Sequence, residues 1–268
     1  MMKIDKKIFE SVALSATSAT AHVFDMLQPH LEVTEQNLKS ELFGSFDYTS
    51  VTGLESIAIR LVCLRTYYEQ IPHLDLVLTP TGFGVVSNEN VVPASADRVK
   101  ELRKQVKAAY DDAYDDAILA MLGTDWVKSV SGRIHTNSIY NTAHDLRSYA
   151  CLPDAHRSDL LERLVQIAEA EEYIRRTISS EFFEVLLEGV RTKELGIEYR
   201  MLVHELKLAV AGWLHGNTNV LRMKLANIVN QMEKHIDDYP DYKNSEAYKV
   251  KHFERYQNGK DDTTYFFG

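Results

Sequence analysis

The chain has 268 residues, 45% of them hydrophobic, which is enough to bury one large core or two smaller ones. Its 30 Lys and Arg residues are outnumbered by 39 Asp and Glu residues, and the formal net charge of -9 does not favour a nucleic-acid-binding protein, whose surface carries a basic footprint. The N-terminus lacks the pattern of a signal peptide, and no apolar run approaches the roughly 18 residues of a membrane span, so we expect a soluble cytoplasmic protein.

The two cysteines, Cys63 and Cys151, each lie in an apolar stretch and show no CxxC spacing. That pattern gives no sign of a zinc site or of a disulfide framework. We expect two buried free thiols, because unpaired cysteines behave as small hydrophobic residues.

Helices dominate the first part of the chain. Residues Val12–Gln28 are rich in Ala, Ser and Thr and favour a closely packing helix, which Pro29 is expected to break. A second helix is predicted for His30–Phe43, where leucines recur at helical spacing. The nearly all-apolar stretch Gly53–Ile71 predicts a core helix that ends before Pro72.

The segment Leu74–Val92 departs from this helical pattern. The sequences LVLT and FGVVS are typical of strands, and Pro80-Thr81-Gly82 between them is typical of a turn. We therefore predict a small β-hairpin over about residues 75–87, in a segment that holds a loop in place.

A single long helix is predicted from Ser95, its N-cap, to Gly123, its end. A looser stretch, Trp126–Asn137, follows. The pattern of Ser138–Leu152 fits a helix or a strand, and its periodicity does not distinguish between them.

The second half returns to clear helical periodicity. One helix is predicted for Asp154–Ser179, and another begins at Ser180. The segments Glu198–Leu214 and Asn219–Ile236 predict two antiparallel helices, because the linker between them is short.

These elements together predict a mainly α-helical fold, a helical bundle with a small β-hairpin and an extended C-terminal arm. The body is expected to span residues 1–239, with a candidate subdivision near residue 153. Residues 240–268 are polar and lack a helical apolar stripe, so they are expected to form the arm.

Sequence motifs for catalysis are incomplete. No phosphate-binding P-loop and no GxSxG elbow occur, and Gly82 and Gly84 lack the third glycine and the helix of a dinucleotide site. After His204-Glu205, the second zinc ligand of a metalloprotease would stand at position 208, which is Leu208. We therefore predict no catalytic, cofactor-binding or metal-binding residues.

One acidic run is unusual, because it repeats a four-residue unit. The repeat places Asp111 one helical turn before Asp115, and Asp112 one turn before Asp116. We interpret the run as a solvated acidic surface that keeps the protein soluble. Its alternatives are a docking strip for a basic partner, an acidic lining that DNA slides past, and a divalent-metal site that would lack flanking His or Glu ligands.

Three aromatic residues, Tyr265, Phe266 and Phe267, stand near the end of the sequence. An exposed aromatic triplet would promote aggregation. We expect these side chains to insert into a pocket, either on the same chain or on a partner.

The segment LDLVLTPTGFGVVSNENVVPASADRVKEL, residues Leu74–Leu102, resembles a family of proteins from tailed phages and prophages of gut bacteria. The resemblance rests on the combination of the strand-forming LVLT, the GFGVVSN turn, the N-x-x-PAS bridge and the Arg-Val helix start. It extends more loosely to the helix before Gly44 and to the aromatic C-terminus. Members of that family look like head-to-tail adaptor proteins, also called connector or ring proteins.

This resemblance implies a structural virion protein of the neck or tail region, assembled in the host cytoplasm. It implies a homo-oligomeric ring, a dodecamer in such adaptors, that docks on the portal protein, meets other tail or ring proteins and extends the DNA channel. DNA would pass without specific binding, and no membrane would be involved. In this interpretation Val77, Thr81, Phe83 and Val85 contact a neighbouring subunit or face the channel, and Tyr265–Phe267 anchor the ring on its neighbour.

Two other classes of protein remain open at this stage. One is an enzyme, such as a nuclease or hydrolase, that uses the cluster Asp111–Asp116. The other is a non-viral helical interaction or scaffold protein.

Overall fold

The computed structural model describes residues 2–13, 22–74, 76–79, 82–85 and 95–253. Over these residues the protein is mainly helical, as predicted. No helix in the described ranges is both long and apolar enough to span a membrane. The chain divides into two compact units, Met1–Leu164 with Arg191–Lys193, and Val165–Val190 with Glu194–Gly268.

The first unit is built around one hydrophobic core. Helix α3 packs against both α2 and α4, and Leu61, Val62 and Ile118 are fully buried between these elements and their neighbours. The helices described in this unit are α1 (Lys6–Val12), α2 (His22–Leu38), α3 (Leu54–Gln70), α4 (Ala96–Met121), α5 (Val130–His135), α6 (Ala143–Tyr149) and α7 (Arg157–Glu162).

The helix break predicted at Pro29 is wrong, because α2 runs through the proline. A proline inside a helix removes one hydrogen bond and costs about 3 kcal/mol. On this helix Leu27, Leu31 and Leu38 are all buried, and each buried leucine contributes about 1.5–3 kcal/mol. Burial of the leucine face therefore outweighs the penalty of the proline.

A π-helical turn, Lys39–Phe43, continues α2 and ends at Gly44, which has a φ of 60°. The carbonyl of Leu42 in this turn accepts two hydrogen bonds, from Trp126 Nε1–H at 2.7 Å and from the Ser131 hydroxyl at 2.6 Å. Trp126 is fully buried. The two bonds satisfy a carbonyl at the helix end and hold the turn against the segment that follows α4.

The predictions of a core helix near residues 53–71 and of a long helix from Ser95 are confirmed by α3 and α4. A short 3₁₀ turn, Ile71–His73, follows α3 and contains Pro72. At the start of α4 the Ser95 hydroxyl accepts the Arg98 amide at 3.4 Å, so Ser95 is the N-cap.

Two short strands lie between α3 and α4 in the sequence. Strand β1 (Leu76–Thr79) pairs antiparallel with β2 (Gly82–Val85), with Leu76 opposite Val85 and Thr79 opposite Gly82. Two residues separate the strands, which is the commonest length of a hairpin connection. These two residues and residues 86–94 lie outside the described part of the chain.

Short helices follow α4. The segment Ser138–Leu152, which fits helix or strand by its sequence, contains the helix α6. The single helix predicted for Asp154–Ser179 is wrong, because α7 ends at Glu162 and a separate helix, α8, covers Leu164–Ile178. Between them the Arg163 amide donates to the Leu160 carbonyl at 3.0 Å, and this tighter i to i+3 bond ends the α-helical ladder.

The second unit contains an antiparallel helix pair, as the sequence predicts. Its helices are α8, α9 (Ser180–Thr192), α10 (Ile197–Leu214), α11 (Thr218–Lys234), α12 (Pro240–Asn244) and α13 (Glu246–Lys251). The first residue of α8 and the last two of α9 are the exceptions, because they belong to the first unit. Helices α10 and α11 pack against each other, and Gly216, with a φ of 75°, makes the turn between them.

The extended arm predicted from residue 240 is wrong in its first part, because residues 240–251 form α12 and α13. The Tyr242 ring is buried, with centroids 5.7 Å from Phe182 and 5.3 Å from Tyr248. Aromatic contacts of this kind stabilise a segment that has no apolar stripe. The rest of the predicted arm, residues 254–268, lies outside the described residues.

The two cysteines differ in their surroundings. Cys63 is buried, as predicted, and burial raises the pKa of its thiol to about 12. The prediction of a buried thiol is wrong for Cys151, which is exposed. Cys151 follows α6 with a φ of 53°, and the preceding Ala150 takes the buried position in this turn.

Gly132 in α5 has little room for a side chain, since a Cβ there would lie 2.0 Å from the Trp126 carbonyl oxygen. We expect Gly132→Ala to lower the free energy of unfolding by about 1–3 kcal/mol, the usual cost of overpacking, although alanine is the better helix former. Gly196→Ala is the control, because nothing lies within 4 Å of a Cβ at that position. Urea denaturation followed by circular dichroism measures both, and equal stability of the two variants would contradict this packing.

Candidate functional site: an ion network and two grooves

The predicted acidic surface is the first candidate, and the structure places half of it inside the protein. We call Asp111, Asp112, Asp115 and Asp116 the acidic ladder. Asp111 is 3% exposed and Asp115 is 0% exposed, whereas Asp112 and Asp116 are partly exposed. The prediction of a solvated acidic surface is therefore wrong for Asp111 and Asp115.

Asp115 joins the starts of two helices to α4. One of its carboxylate oxygens accepts Arg157 Nη1–H at 2.7 Å, and the other accepts the Ala143 amide at 2.6 Å. Ala143 is the first residue of α6 and Arg157 is the first residue of α7. Since the Thr142 side chain does not cap α6, the carboxylate of Asp115 satisfies an amide that the helix leaves open.

Burial and pairing act in opposite directions on this carboxyl group. Burial raises the pKa of Asp115, while the Arg157 guanidinium and the Ala143 amide oppose the rise. The Arg157 side chain is itself largely buried. Removing one partner of such a pair leaves an uncompensated buried charge and costs about 3–5 kcal/mol.

Asp112 also has basic partners inside the first unit. Its Oδ1 lies 3.1 Å from Arg147 Nη2 and 3.2 Å from His156 Nδ1. Arg147 belongs to α6, and His156 immediately precedes α7. The second carboxylate of the acidic ladder therefore contacts the same two helices as Asp115.

The remaining two carboxylates also have basic neighbours. Asp116 lies 3.5 Å from His144 Nε2 and 3.9 Å from Arg60 Nη1, and Asp111 pairs with Lys107 one turn earlier. Within the described ranges, no group of three or more His, Cys, Asp and Glu side chains is arranged to hold a metal ion. The acidic ladder is thus an ion network that is buried at Asp111 and Asp115 and partly exposed at Asp112 and Asp116.

A chain of contacts extends this network toward α5. The Arg157 guanidinium lies over the Tyr114 ring at 4.5 Å, and the Tyr114 hydroxyl donates to His135 Nε2 at 2.8 Å. His135 Nδ1–H in turn donates to the Ser131 carbonyl at 2.9 Å, since a carbonyl only accepts. Both ring nitrogens are therefore engaged in the neutral imidazole, and burial lowers the pKa of His135.

The N-terminal half of α4 carries a basic surface. Lys100, Arg103, Lys104 and Lys107, which we call the basic stripe, recur at the spacing of one helical face. They line a groove of about 550 Å³, in which Arg103 lies over the Tyr68 ring at 4.6 Å. Within the described ranges only Lys107 of the stripe forms an ion pair. Asp111, Asp154 and Asp159 line the same groove, so basic and acidic side chains face each other across it.

A second groove lies between α10 and α11, in the second unit. We call it the α10–α11 groove; its volume is about 510 Å³. Leu202, Ile228 and Met232 are buried at its floor, and Met201 lines it with 62% of its surface exposed. An apolar groove with a polar rim is a usual feature of a binding surface.

The structure describes three of the residues predicted to bind partners, and all three lie in the hairpin. Val77 pairs with Gly84, and Phe83 and Val85 lie in β2 opposite Leu78 and Leu76. Four other predicted contact residues lie outside the described part of the chain, namely Thr81, Tyr265, Phe266 and Phe267.

Sequence analysis did not predict the basic residues of the ion network, and it did not predict the α10–α11 groove. Arg157 is 42 positions from Asp115, so no local spacing connects them. A signal for burial was present nevertheless, since Tyr114 and Ala117 lie beside the acids in the same repeat, and both are buried. Met201 in the apolar sequence of α10 gave no signal of its own.

Comparison with known proteins finds one family. The sequence model of a family of unknown function (DUF6712) matches residues 25–128 and 217–252, more than half of the chain. The matched stretches include the hairpin, the acidic ladder, the basic stripe and helix α11. No curated protein and no solved structure matches the chain.

Asp115→Asn keeps the size of the side chain but removes the charge that balances Arg157. We expect it to lower the free energy of unfolding by about 3–5 kcal/mol, because Arg157 then stays buried and unpaired. Asp116→Asn is the matched control, since that side chain is 42% exposed, and we expect a change within about 0.5 kcal/mol. Equal losses in urea denaturation would show that the buried pair has no special role.

The lowered pKa of His135 predicts a pH dependence of stability. The fold holds the imidazole neutral, so protonation favours the unfolded chain; stability is complete above the usual pKa of 6.5 and is lost as pH falls below it. His135→Gln is expected to flatten this dependence, as measured by urea denaturation at several pH values below 7. An unchanged slope in this variant would contradict the assignment.

Proposed function

The chain belongs to this family of unknown function (DUF6712), and we propose that it is a structural assembly protein, a head-to-tail adaptor of a phage virion. In this proposal copies of the chain form a ring that docks on the portal protein and extends the DNA channel. The acidic ladder supports the non-catalytic part of this proposal, because all four of its carboxylates have basic partners within the fold.

The geometry of Asp115 explains why the ladder favours a structural role. A general acid or base must reach a substrate proton within hydrogen-bonding distance. Asp115 is fully buried, and both of its oxygens already accept hydrogen bonds from Arg157 and Ala143. Its contacts hold α6 and α7 on α4, and its complete burial keeps a substrate away from it.

The hairpin supports the ring part of the proposal. Within the described residues β1 and β2 pair only with each other, so each strand has an open edge. Open strand edges present unpaired amides and carbonyls to another chain. We assign Val77, Thr81, Phe83 and Val85 to the contact between subunits. Head-to-tail contacts of this kind can close a ring.

Charge supports the channel part of the proposal. The acidic lining considered for DNA passage does not fit Asp111 and Asp115, which are buried. The basic stripe is the better candidate for a surface that faces the duplex, because a few lysines make weak phosphate contacts that carry no sequence information. DNA would then pass this surface without specific binding.

The test mixes the purified full-length chain with the portal protein encoded in the same genome. Light scattering after size exclusion and electron microscopy are expected to show a closed ring on one end of the portal. A chain that stays monomeric and does not bind the portal would refute the adaptor function. A stable dimer that does not bind the portal would point to a scaffold protein instead.

A pair of variants tests whether the hairpin takes part in ring formation. Phe83→Asp is expected to reduce ring formation at least tenfold, because it places a charge at the proposed contact; the unfolding midpoint of the variant is measured alongside. Phe253→Asp is the control, since Phe253 is 76% exposed and lies after α13, away from the hairpin in sequence. Equal assembly by both variants would remove the hairpin from the proposed contact.

A further inference from the structure

The α10–α11 groove has the chemistry of a site for aromatic side chains. Its floor is apolar, and two of its lining residues, Met201 and Met232, present thioether groups. Thioethers make favourable contacts with aromatic rings, and their flexible side chains adapt to the shape of a ligand. Met201 is 62% exposed, so the groove has apolar surface left to bury.

The rim of the groove is acidic. Glu205 pairs with Lys224 at 3.2 Å, whereas Glu198 and Asp238 form no ion pair with any residue that the structure describes. A ligand that brings positive charge next to its apolar part would therefore complement this rim. An aromatic side chain with a nearby Lys or Arg would complement both the floor and the rim of the groove.

The described chain ends beside the same helix that forms one side of the groove. Lys251 and His252, at the end of α13, contact Glu233 of α11 at 2.5 and 3.5 Å. Glu233 is the neighbour of Met232, which lines the groove floor. The described part of the chain therefore ends next to α11.

The segment that follows is long enough to enter the groove. Fifteen residues of the sequence come after Phe253 and can span up to roughly 50 Å when extended. Helix α10, with 18 residues, is only about 27 Å long. Every point along the groove is thus within reach of residues 254–268.

We propose that residues 254–268 fill the α10–α11 groove of their own chain. Tyr265, Phe266 and Phe267 supply the aromatic side chains for the floor, and Arg255 and Lys260 supply the positive charge for the rim. Docking of this segment covers Met201 and neutralises Glu198 and Asp238. The inference concerns the isolated protein and does not rest on its proposed place in a virion.

Disulfide trapping in the full-length chain tests the occupant directly. In a Cys151→Ser background, which leaves only the buried Cys63, Met201→Cys is combined with Phe266→Cys. The control combines Met223→Cys with Phe266→Cys, because Met223 is equally exposed, at 68%, but does not line the groove. We expect the first pair to form its disulfide at least ten times faster under mild oxidation.

The products of trapping identify the copy that supplies the segment. Non-reducing electrophoresis separates an internal disulfide at the Met201 position, which supports the proposal, from a crosslink between chains, which would overturn it. Equal rates at positions 201 and 223, or no disulfide at either, would overturn it.

A second measurement uses a variant in which glutamate replaces Met201. Trypsin cleavage at Arg255 and Lys260 is expected to be about tenfold faster in Met201→Glu than in the native chain, and unchanged in Met223→Glu. Equal cleavage in all three chains would refute docking. If copies of the chain instead associated through this groove, Met201→Glu would weaken self-association without faster cleavage, and that result would also refute the proposal.

The two proposals fail separately. A monomer with trapped C-terminal residues supports docking and counts against the ring. A ring on the portal, with equal trapping at positions 201 and 223, supports the adaptor and refutes docking.

Discussion

A buried ion pair between Asp115 and Arg157 determines how the second half of the first unit meets its first half. Asp115 belongs to α4, which packs on α3, and its carboxylate holds the starts of α6 and α7. From Arg157 the contacts continue through Tyr114 and His135 to Ser131, whose hydroxyl holds the π-helical turn after α2. Because a lone buried charge is costly, these elements depend on both partners being present.

The sequence predicted best those elements whose cause is local. Apolar residues at helical spacing and a serine N-cap were sufficient for α3, α4, α10 and α11. The predictions failed where tertiary burial decides the structure. Three leucines keep α2 helical through Pro29, and the aromatic contacts of Tyr242 fold the segment predicted as an arm.

The acidic ladder shows a different limit of sequence analysis. Two aspartates four residues apart share a helical face whether that face is wet or buried, so spacing alone fixes their alignment but not their surroundings. The partners that bury Asp115 are 28 and 42 residues away. Net charge has the same limit, since several carboxylates on α4 have basic partners inside the fold and the same helix carries the basic stripe.

A double-mutant cycle between Asp115 and Arg157 is the most direct test of a structural role for the acidic ladder. Asp115→Asn, Arg157→Met and the double variant are compared by their free energies of unfolding in urea. We expect each single change to cost about 3–5 kcal/mol and the double change to cost less than their sum by at least about 1 kcal/mol. Strictly additive losses, with each single variant within about 0.5 kcal/mol of the native chain, would contradict this role.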